Sequence, residues 1–134
     1  MRKQPISGPL PGIALDAVLV LAFVIIGRAS HHDGGGLAGL ASTAWPFLAG
    51  LAAGEIATRA WRRPAALGVG LGVWLSTVAV GMVLRVVAGQ GTAVAFIAVA
   101  LAFLGLFLLG WRLLAAAGRR IGQRTGRRAG QARG

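Results

Sequence analysis

Charged residues divide the chain into long apolar stretches. The stretches without any charge are 17–27, 34–54, 64–84 and 86–111. A helix that crosses a membrane needs about 20 mainly apolar residues, because each residue adds about 1.5 Å along the helix axis. The last three stretches are long enough alone, and the first approaches that length if it extends back through Asp16 to Ile13. The pattern therefore predicts four membrane-spanning helices, over about 13–28, 39–58, 65–86 and 92–112.

Glycine and hydroxyl residues mark the ends of these helices. The glycines at 34–36 indicate a loop over 29–38, because a glycine run forms regular structure only at a high entropic cost. Between the third and fourth helices, Gly89 is expected to end one helix and Thr92 to cap the next.

Pro46 leaves the start of the second helix open. It is tolerated in the first turn of a helix capped by Ser42 or Thr43, where backbone N–H groups lack partners in any case. It is equally compatible with a kink in a longer helix that begins near Leu37.

The segment 115–134 differs in composition from the rest of the chain. It consists mainly of glycine, arginine, alanine and glutamine, with too little apolar surface to offset the entropy of ordering. We expect it to be disordered beyond about residue 120 and to lie against anionic lipid headgroups. The predicted organisation is an N-terminal segment over 1–12, a four-span transmembrane domain over 13–114 and this basic tail.

The composition favours a membrane protein. Of the 134 residues, 56% are apolar and 13% are charged, the mean hydropathy is +0.73, and there is no cysteine. Soluble domains carry about 25% charged and about 45–50% apolar residues. A water-soluble globular fold and a disulfide-stapled secreted module are both disfavoured. We predict an all-α fold, an integral membrane four-helix bundle.

The basic residues are distributed unevenly over this topology. Fourteen Lys and Arg stand against three acidic residues, which gives a net charge of +11. If both termini share one face of the membrane, twelve of the fourteen lie on that face and only Arg28 and Arg85 on the other. The positive-inside rule then places both termini in the cytoplasm of a multi-pass cell-membrane protein. The basic residues are not interleaved with aromatic ones, so we expect no nucleic-acid partner.

Two acidic residues lie inside the predicted spans, where a charge is costly and marks a candidate functional site. Asp16 falls in the first turn of the first helix, and Glu55 falls near the end of the second, one turn before Arg59. The functional interpretation is a proton or cation site. The structural interpretation is that Asp16 complements the helix dipole, while Glu55 pairs with Arg59 four residues later.

The third predicted span carries a stripe of polar and small residues. Its members share one helix face, at spacings of three, four and four: Trp74, Thr77, Gly81 and Arg85. Arg85 either extends toward the membrane interface or closes an anion-attracting pocket with Gln90 and Thr92. The functional hypothesis is a polar path across the bundle, with Trp74 and Thr77 along its middle and Gly81 leaving it open.

Small residues are expected at the helix contacts, because lipid gives little hydrophobic drive for association and close backbone approach replaces it. The second span has Gly50 and Gly54. The fourth has a seam at helical spacing, made of Ala95, Ala98, Ala102 and Gly105. We expect this seam to face the bundle, and the phenylalanines opposite to it to face lipid: Phe96, Phe103 and Phe107.

The sequence contains no constellation for covalent or metal chemistry. His31, His32 and Asp33 are adjacent in the loop, but neighbouring side chains diverge and a third protein ligand is lacking nearby. There is no nucleophile–base pair, phosphate-binding loop or zinc-protease motif. We therefore expect no enzymatic activity, no metal and no cofactor.

Several short strings resemble a known family of membrane proteins. The two longest are Thr43-Ala44-Trp45-Pro46-Phe47 and Gly89-Gln90-Gly91-Thr92-Ala93-Val94-Ala95-Phe96, and a shorter one is Gly110-Trp111-Arg112. On these strings the chain resembles, over about 13–112, the prokaryotic small membrane proteins catalogued as domain of unknown function 3054. The resemblance implies a four-helix integral membrane protein and supplies no activity or ligand.

Two functional hypotheses follow. In the first, the chain is a small-solute or proton transporter or channel-like protein, whose intramembrane polar residues contact what is moved. In the second, it is a structural or interaction protein, whose polar residues only stabilise the bundle. We expect a homo-oligomer in either case.

The charge distribution generates a testable topology. Reporter fusions after residues 32 and 90 should report the outside of the cell, and fusions after residues 62 and 130 should report the cytoplasm. Alkaline phosphatase, active outside the cytoplasm, and green fluorescent protein, fluorescent inside it, give complementary readouts. Phosphatase activity at position 130 would contradict the orientation.

Overall fold

The computed structural model describes residues 8–30 and 35–133, without the side chain of Ser30. These ranges contain four α-helices and no strand. The helices are α1 (Leu10–Ser30), α2 (Gly36–Thr58), α3 (Leu67–Val87) and α4 (Val94–Ala132). Each is long and apolar enough to cross a membrane. The predicted all-α fold with four membrane-spanning helices is confirmed.

The first residues of α1 and α2 decide two expectations from the sequence, on Asp16 and on Pro46. α1 begins at Leu10, so Asp16 lies in its second turn, too far from the helix end to complement the dipole. α2 begins at Gly36 and carries Pro46 in its interior, which settles its start in favour of the longer helix.

The turn between α3 and α4 depends on glycine. Gly89 and Gly91 have φ angles of +74° and +77°, which L side chains rarely adopt. Gly89 follows the last turn of α3, and the second left-handed residue lengthens the connection. α4 therefore begins beyond Thr92, and its N-cap is Ala93, without a side-chain hydrogen bond. The expected cap at Thr92 is wrong for this reason.

The basic tail is helical, which corrects the expectation of disorder beyond about residue 120. α4 continues without a break from the membrane span through Ala132. The expectation of disorder rests on the lack of apolar surface alone. Arginine, alanine and glutamine have high helix propensity, and a helix already nucleated in the span adds residues at little cost. The side chains of this extension are exposed from Ala117 onward.

The helices run alternately up and down and form a ring in chain order. α1 packs on α2 and α4, α3 packs on the same two helices, and α1 and α3 lie diagonally opposite each other. We call the end of the bundle that holds the α3–α4 turn the Arg85 end. The opposite end, at which α4 leaves the bundle, is the Arg112 end. Between them lies an apolar core whose fully buried members include Val20, Phe47, Val73, Leu104 and Leu108.

Two glycines of α2 allow it to approach α3 closely. A Cβ atom at Gly50 would lie 2.9 Å from the carbonyl oxygen of Thr77, and one at Gly54 would lie 2.8 Å from Cβ of Ser76. Ser76 Oγ donates a hydrogen bond to the Gly50 carbonyl oxygen at 2.9 Å. The missing side chains thus bring the backbone of one helix against the backbone and hydroxyl groups of the other.

α4 packs through a different face from the one expected. Its buried residues recur mainly every four positions: Ala100, Leu104, Gly105, Leu108 and Arg112. Ala95, Ala98 and Ala102 are exposed, so only Gly105 of the expected seam is buried. Phe96 packs on Phe47, with the ring centroids 6.0 Å apart, and does not simply face lipid. A small residue permits contact, whereas the leucines, which bury more apolar area, decide which face packs.

We expect Gly50→Ala to lower the free energy of unfolding by about 1–3 kcal/mol, because the added methyl group meets the backbone of α3. Gly110→Ala is the matched control, since nothing lies within 4 Å of a Cβ atom there. Unfolding of the purified protein in mixed micelles with increasing SDS, followed by circular dichroism, measures both variants. Equal stability of the two would contradict the close packing of α2 on α3.

Candidate functional site

A buried ion pair joins α1 to α4 at the Arg112 end. Arg112 donates two hydrogen bonds to the Asp16 carboxylate, from Nη2 to Oδ2 at 2.7 Å and from Nη1 to Oδ1 at 3.0 Å. Trp111 Nε1 donates a third hydrogen bond, to Asp16 Oδ1 at 2.8 Å. Asp16 and Arg112 are both fully buried. These bonds satisfy a carboxylate that has little water to solvate it.

The other donor contacts of Arg112 go to backbone carbonyl groups. Nε donates to the Pro64 oxygen at 2.8 Å, in the loop between α2 and α3, and Nη1 donates to the Leu108 oxygen at 2.7 Å. Gly70 of α3 leaves room for the side chain, because a Cβ atom there would lie 2.6 Å from Arg112 Cδ. One guanidinium group therefore connects α1, α4 and the α2–α3 loop.

Glu55 lies beside this ion pair and interacts electrostatically with both Asp16 and Arg112. The residue is 7% exposed, and its Oε1 atom is buried without a hydrogen-bond partner among the described residues. Among the described residues, Asp16 forms its ion pair with Arg112, and Arg59 takes no part in it. α2 ends at Thr58, and Arg59 is exposed with a φ angle of +51°. The expected Glu55–Arg59 pair is wrong, because pairing at i,i+4 requires a helix that continues.

Two members of the α3 stripe make hydrogen bonds to helix backbones. Trp74 Nε1 donates to the Leu101 oxygen of α4 at 3.0 Å, and its indole packs on Gly105. Thr77 is fully buried and donates to the Val73 oxygen, one turn earlier in its own helix, at 2.7 Å. Both polar groups are thus already satisfied by protein.

Phe47 fills the space that Gly81 was expected to leave open. A Cβ atom at Gly81 would lie 2.9 Å from Phe47 Cδ1. With the apolar core around it, this ring separates the acidic residues of the Arg112 end from Arg85 at the other. The expected continuous polar path through the described part of the bundle is therefore wrong.

A cavity of about 390 Å³ lies between α1, α2 and α4 at the Arg85 end. Its walls are mainly apolar and include three aromatic rings, those of Phe23, Phe47 and Phe96. Two arginines line it, Arg28 from α1 and Arg85 from α3. The cavity lies where α1 meets α4, which is the least extensive helix contact in the ring.

The partners of Arg85 that the described residues provide are neutral. Its guanidinium donates to Gln90 Oε1 at 3.1 Å, to the Gln90 backbone oxygen at 3.4 Å and to the Gly91 oxygen at 3.3 Å. Its Cζ atom lies 4.4 Å from the centroid of the Phe96 ring. Gln90 Nε2 in turn donates to the Ser42 oxygen at 2.8 Å. The structure brings Gln90 to Arg85, whereas Thr92 is not among the recorded partners of Arg85.

Arg28 is positioned by a hydroxyl group that sequence reasoning does not identify. Its Nη1 atom donates to Thr43 Oγ1 at 2.8 Å, and Thr43 Oγ1 donates to the Gly39 oxygen at 3.0 Å. The pattern of charges counts Arg28 among the basic residues of one membrane face and gives no sign of Thr43 on the next helix. The loop motif of His31, His32 and Asp33 lies outside the described residues.

Arg112 is the residue of this site that the sequence reasoning does not identify as the partner of Asp16. The charge pattern counts it among the cations of one membrane face, and Trp111 as an interface residue. A usable signal exists, because Arg112 directly follows the fourth apolar stretch, at the predicted depth of Asp16. An acidic residue inside a membrane domain commonly pairs with a cationic residue at the same depth.

Comparison with known proteins identifies the family. The model of the family described as Protein of unknown function (DUF3054) matches residues 13–115. The chain belongs to this family. The match covers the apolar part of every helix of the DUF3054 bundle, and it confirms the resemblance carried by the sequence strings. No curated protein and no solved structure matches the chain.

In this DUF3054 chain, we expect Arg112→Ala to lower the free energy of unfolding by about 3–5 kcal/mol, because Asp16 loses its counter-charge while remaining buried. Arg112→Lys should recover only part of the loss, since one ammonium group cannot reproduce the forked contact with Asp16. Arg119→Ala, an exposed position on the same helix, is the control. Thermal unfolding in detergent ranks the variants. Similar stabilities for Arg112→Ala and Arg119→Ala would show that the ion pair is dispensable.

Proposed function

We propose that the protein binds a small amphiphilic anion in the cavity at the Arg85 end and carries it across the membrane. The observation that supports this proposal is the pairing of an apolar cavity of about 390 Å³ with a guanidinium group at its wall. An apolar body with one anionic group matches both features. Sites for small molecules commonly combine apolar walls with a few placed polar groups.

The charge of Arg85 favours an anion over a neutral solute. Its described partners, Gln90, the Gly91 carbonyl and the Phe96 ring, orient the guanidinium without neutralising it. A guanidinium group surrounded by apolar side chains attracts an anion more strongly than one in water. Arg28 of α1 also lines the cavity.

A carrier fits the packing better than an open channel. Phe47 and the core residues around it lie between the cavity and the Arg112 end. A solute that enters the cavity therefore needs a rearrangement of helices to leave on the other side. The limited contact between α1 and α4 is where such a rearrangement disturbs the least packing.

The second candidate function is that of a structural or interaction protein. The observation that favours it is the use of Trp74, Ser76 and Thr77 in hydrogen bonds to helix backbones. In this alternative the polar groups only hold the bundle together, and the cavity is filled by lipid chains.

The wider setting of the protein is part of the proposal. We place it in the cell membrane as a homo-oligomer with both termini in the cytoplasm. The uneven charge distribution supports the orientation of the termini. The arginines of the tail bind anionic lipid headgroups. We assign it no enzymatic activity, no cofactor and no nucleic-acid partner.

The test is uptake of radiolabelled octane-1-sulfonate into proteoliposomes, compared with methanesulfonate, which has the same charge and no long apolar chain. We expect protein-dependent uptake of the octyl compound only. Arg85→Gln should reduce it about tenfold or more, because a charged hydrogen bond contributes about 1.5–3 kcal/mol. Arg62→Gln, at an exposed loop position, should not reduce it.

A second variant tests the cavity without removing a charge. Ala95 and Ala102, two turns apart on α4, are both exposed, but only Ala95 is among the residues that line the cavity. We expect Ala95→Phe to block uptake by filling the cavity, and Ala102→Phe to leave it unchanged. Uptake that survives both Arg85→Gln and Ala95→Phe would refute the carrier proposal, and absence of uptake in the unmodified protein would favour the structural role.

A further inference from the structure

Two carboxyl groups and one guanidinium group are enclosed together at the Arg112 end. Asp16 and Arg112 are 0% exposed, and Glu55 is 7% exposed. With all three groups ionised, this cluster would carry a net charge of −1 inside the bundle. An uncompensated buried charge is strongly unfavourable, and such a group binds a proton instead. The charge count therefore calls for one proton on one of the two carboxyls.

The hydrogen bonds distinguish the two carboxyls. Asp16 accepts two bonds from Arg112 and one from Trp111, all of which stabilise its ionised form. Glu55 has a buried Oε1 atom with no partner among the described residues. An acceptor without a donor marks the carboxyl that has no compensation for a negative charge.

No further described charge near Glu55 changes this count. α1 contributes Asp16 and α4 contributes Arg112. α2 has no other ionisable residue, and the only one in α3 is Arg85, at the far end of the bundle. Arg59, Arg62 and Arg63, in the loop after α2, are all exposed.

We propose that Glu55 is a proton-binding site. While Glu55 holds a proton, Asp16 keeps its ion pair with Arg112. When the proton leaves, the ionised Glu55 competes with Asp16 for Arg112. The ligand is the proton itself, and the two states differ in which carboxylate forms the ion pair with Arg112. This inference goes beyond the proposed anion carrier, since it concerns the opposite end of the bundle and does not depend on transport.

The chain allows a direct test, because Glu55 is its only glutamate and Asp16 and Asp33 are its only aspartates. The full chain is produced by cell-free synthesis with glutamate labelled by ¹³C in the side-chain carboxyl, and reconstituted into bilayers. Infrared spectroscopy then separates the carbonyl band of a protonated carboxyl from the bands of carboxylates. We expect a protonated-carboxyl band near neutral pH that shifts with the ¹³C label and disappears at alkaline pH. A band that does not shift with the label, or no such band near neutral pH, would overturn the proposal.

Variants separate proton binding from a merely structural role. Glu55→Gln should remove the band, and Asp33→Asn, outside the predicted spans, should leave it intact. Asp16→Asn should weaken the band severalfold, because Arg112 then becomes the partner of an ionised Glu55. An undiminished band in Asp16→Asn would overturn the competition for Arg112. Loss of the band when choline is replaced by Na⁺ would assign the site to a metal cation and overturn the proton.

Discussion

The pairing of Asp16 with Arg112 is the constraint on which the rest of the bundle depends. In an apolar medium either charge alone costs several kcal/mol, so α1 and α4 have to meet at the depth where the two groups touch. The same guanidinium binds the Pro64 carbonyl group, which brings in the loop between α2 and α3. The register of all four helices is thus tied to one directional interaction, while apolar contacts, which lack direction, fill the remaining space.

A bundle joined firmly at one end is free to be looser at the other. α1 and α4 are held together by charge at the Arg112 end, and at the Arg85 end the cavity lies between them. α2 and α3 show the opposite arrangement, since Gly50 and Gly54 bring their backbones close together. The bundle therefore has one closely packed helix pair, α2 and α3, and one helix contact, between α1 and α4, that is closed only at the Arg112 end.

Sequence predicts the features that depend on the chain's own length and local composition. The lengths of the uncharged stretches give the four spans, and charges inside the predicted spans draw attention to Asp16, Glu55 and Arg85. The partners of those charges are harder to predict. Local spacing rules predict that Glu55 pairs with Arg59, whereas the neighbour of both acidic residues is Arg112, 96 residues from Asp16. No periodicity encodes which residues of different helices meet.

The face by which a helix packs is also decided between helices. The alanines of α4 form a regular seam in the sequence, but the partner surface selects the side that carries Leu104 and Leu108. The same holds for Gly81, because the side chain that fills the space beside it, Phe47, belongs to another helix. Small residues therefore indicate where another helix can approach, and the neighbouring helix determines which side chain packs there.

The extension of α4 beyond the bundle is only weakly stabilised by its own sequence. Beyond the bundle, the helix carries a glycine at every fourth position, at 118, 122, 126 and 130. Each costs about 1 kcal/mol relative to alanine in a helix interior. An arginine near an anionic lipid surface gains about 1 kcal/mol, and six arginines follow residue 118. If the tail lies on anionic lipid, as proposed above, the two effects are of similar size, and the surface charge of the lipid then sets how far the helix extends.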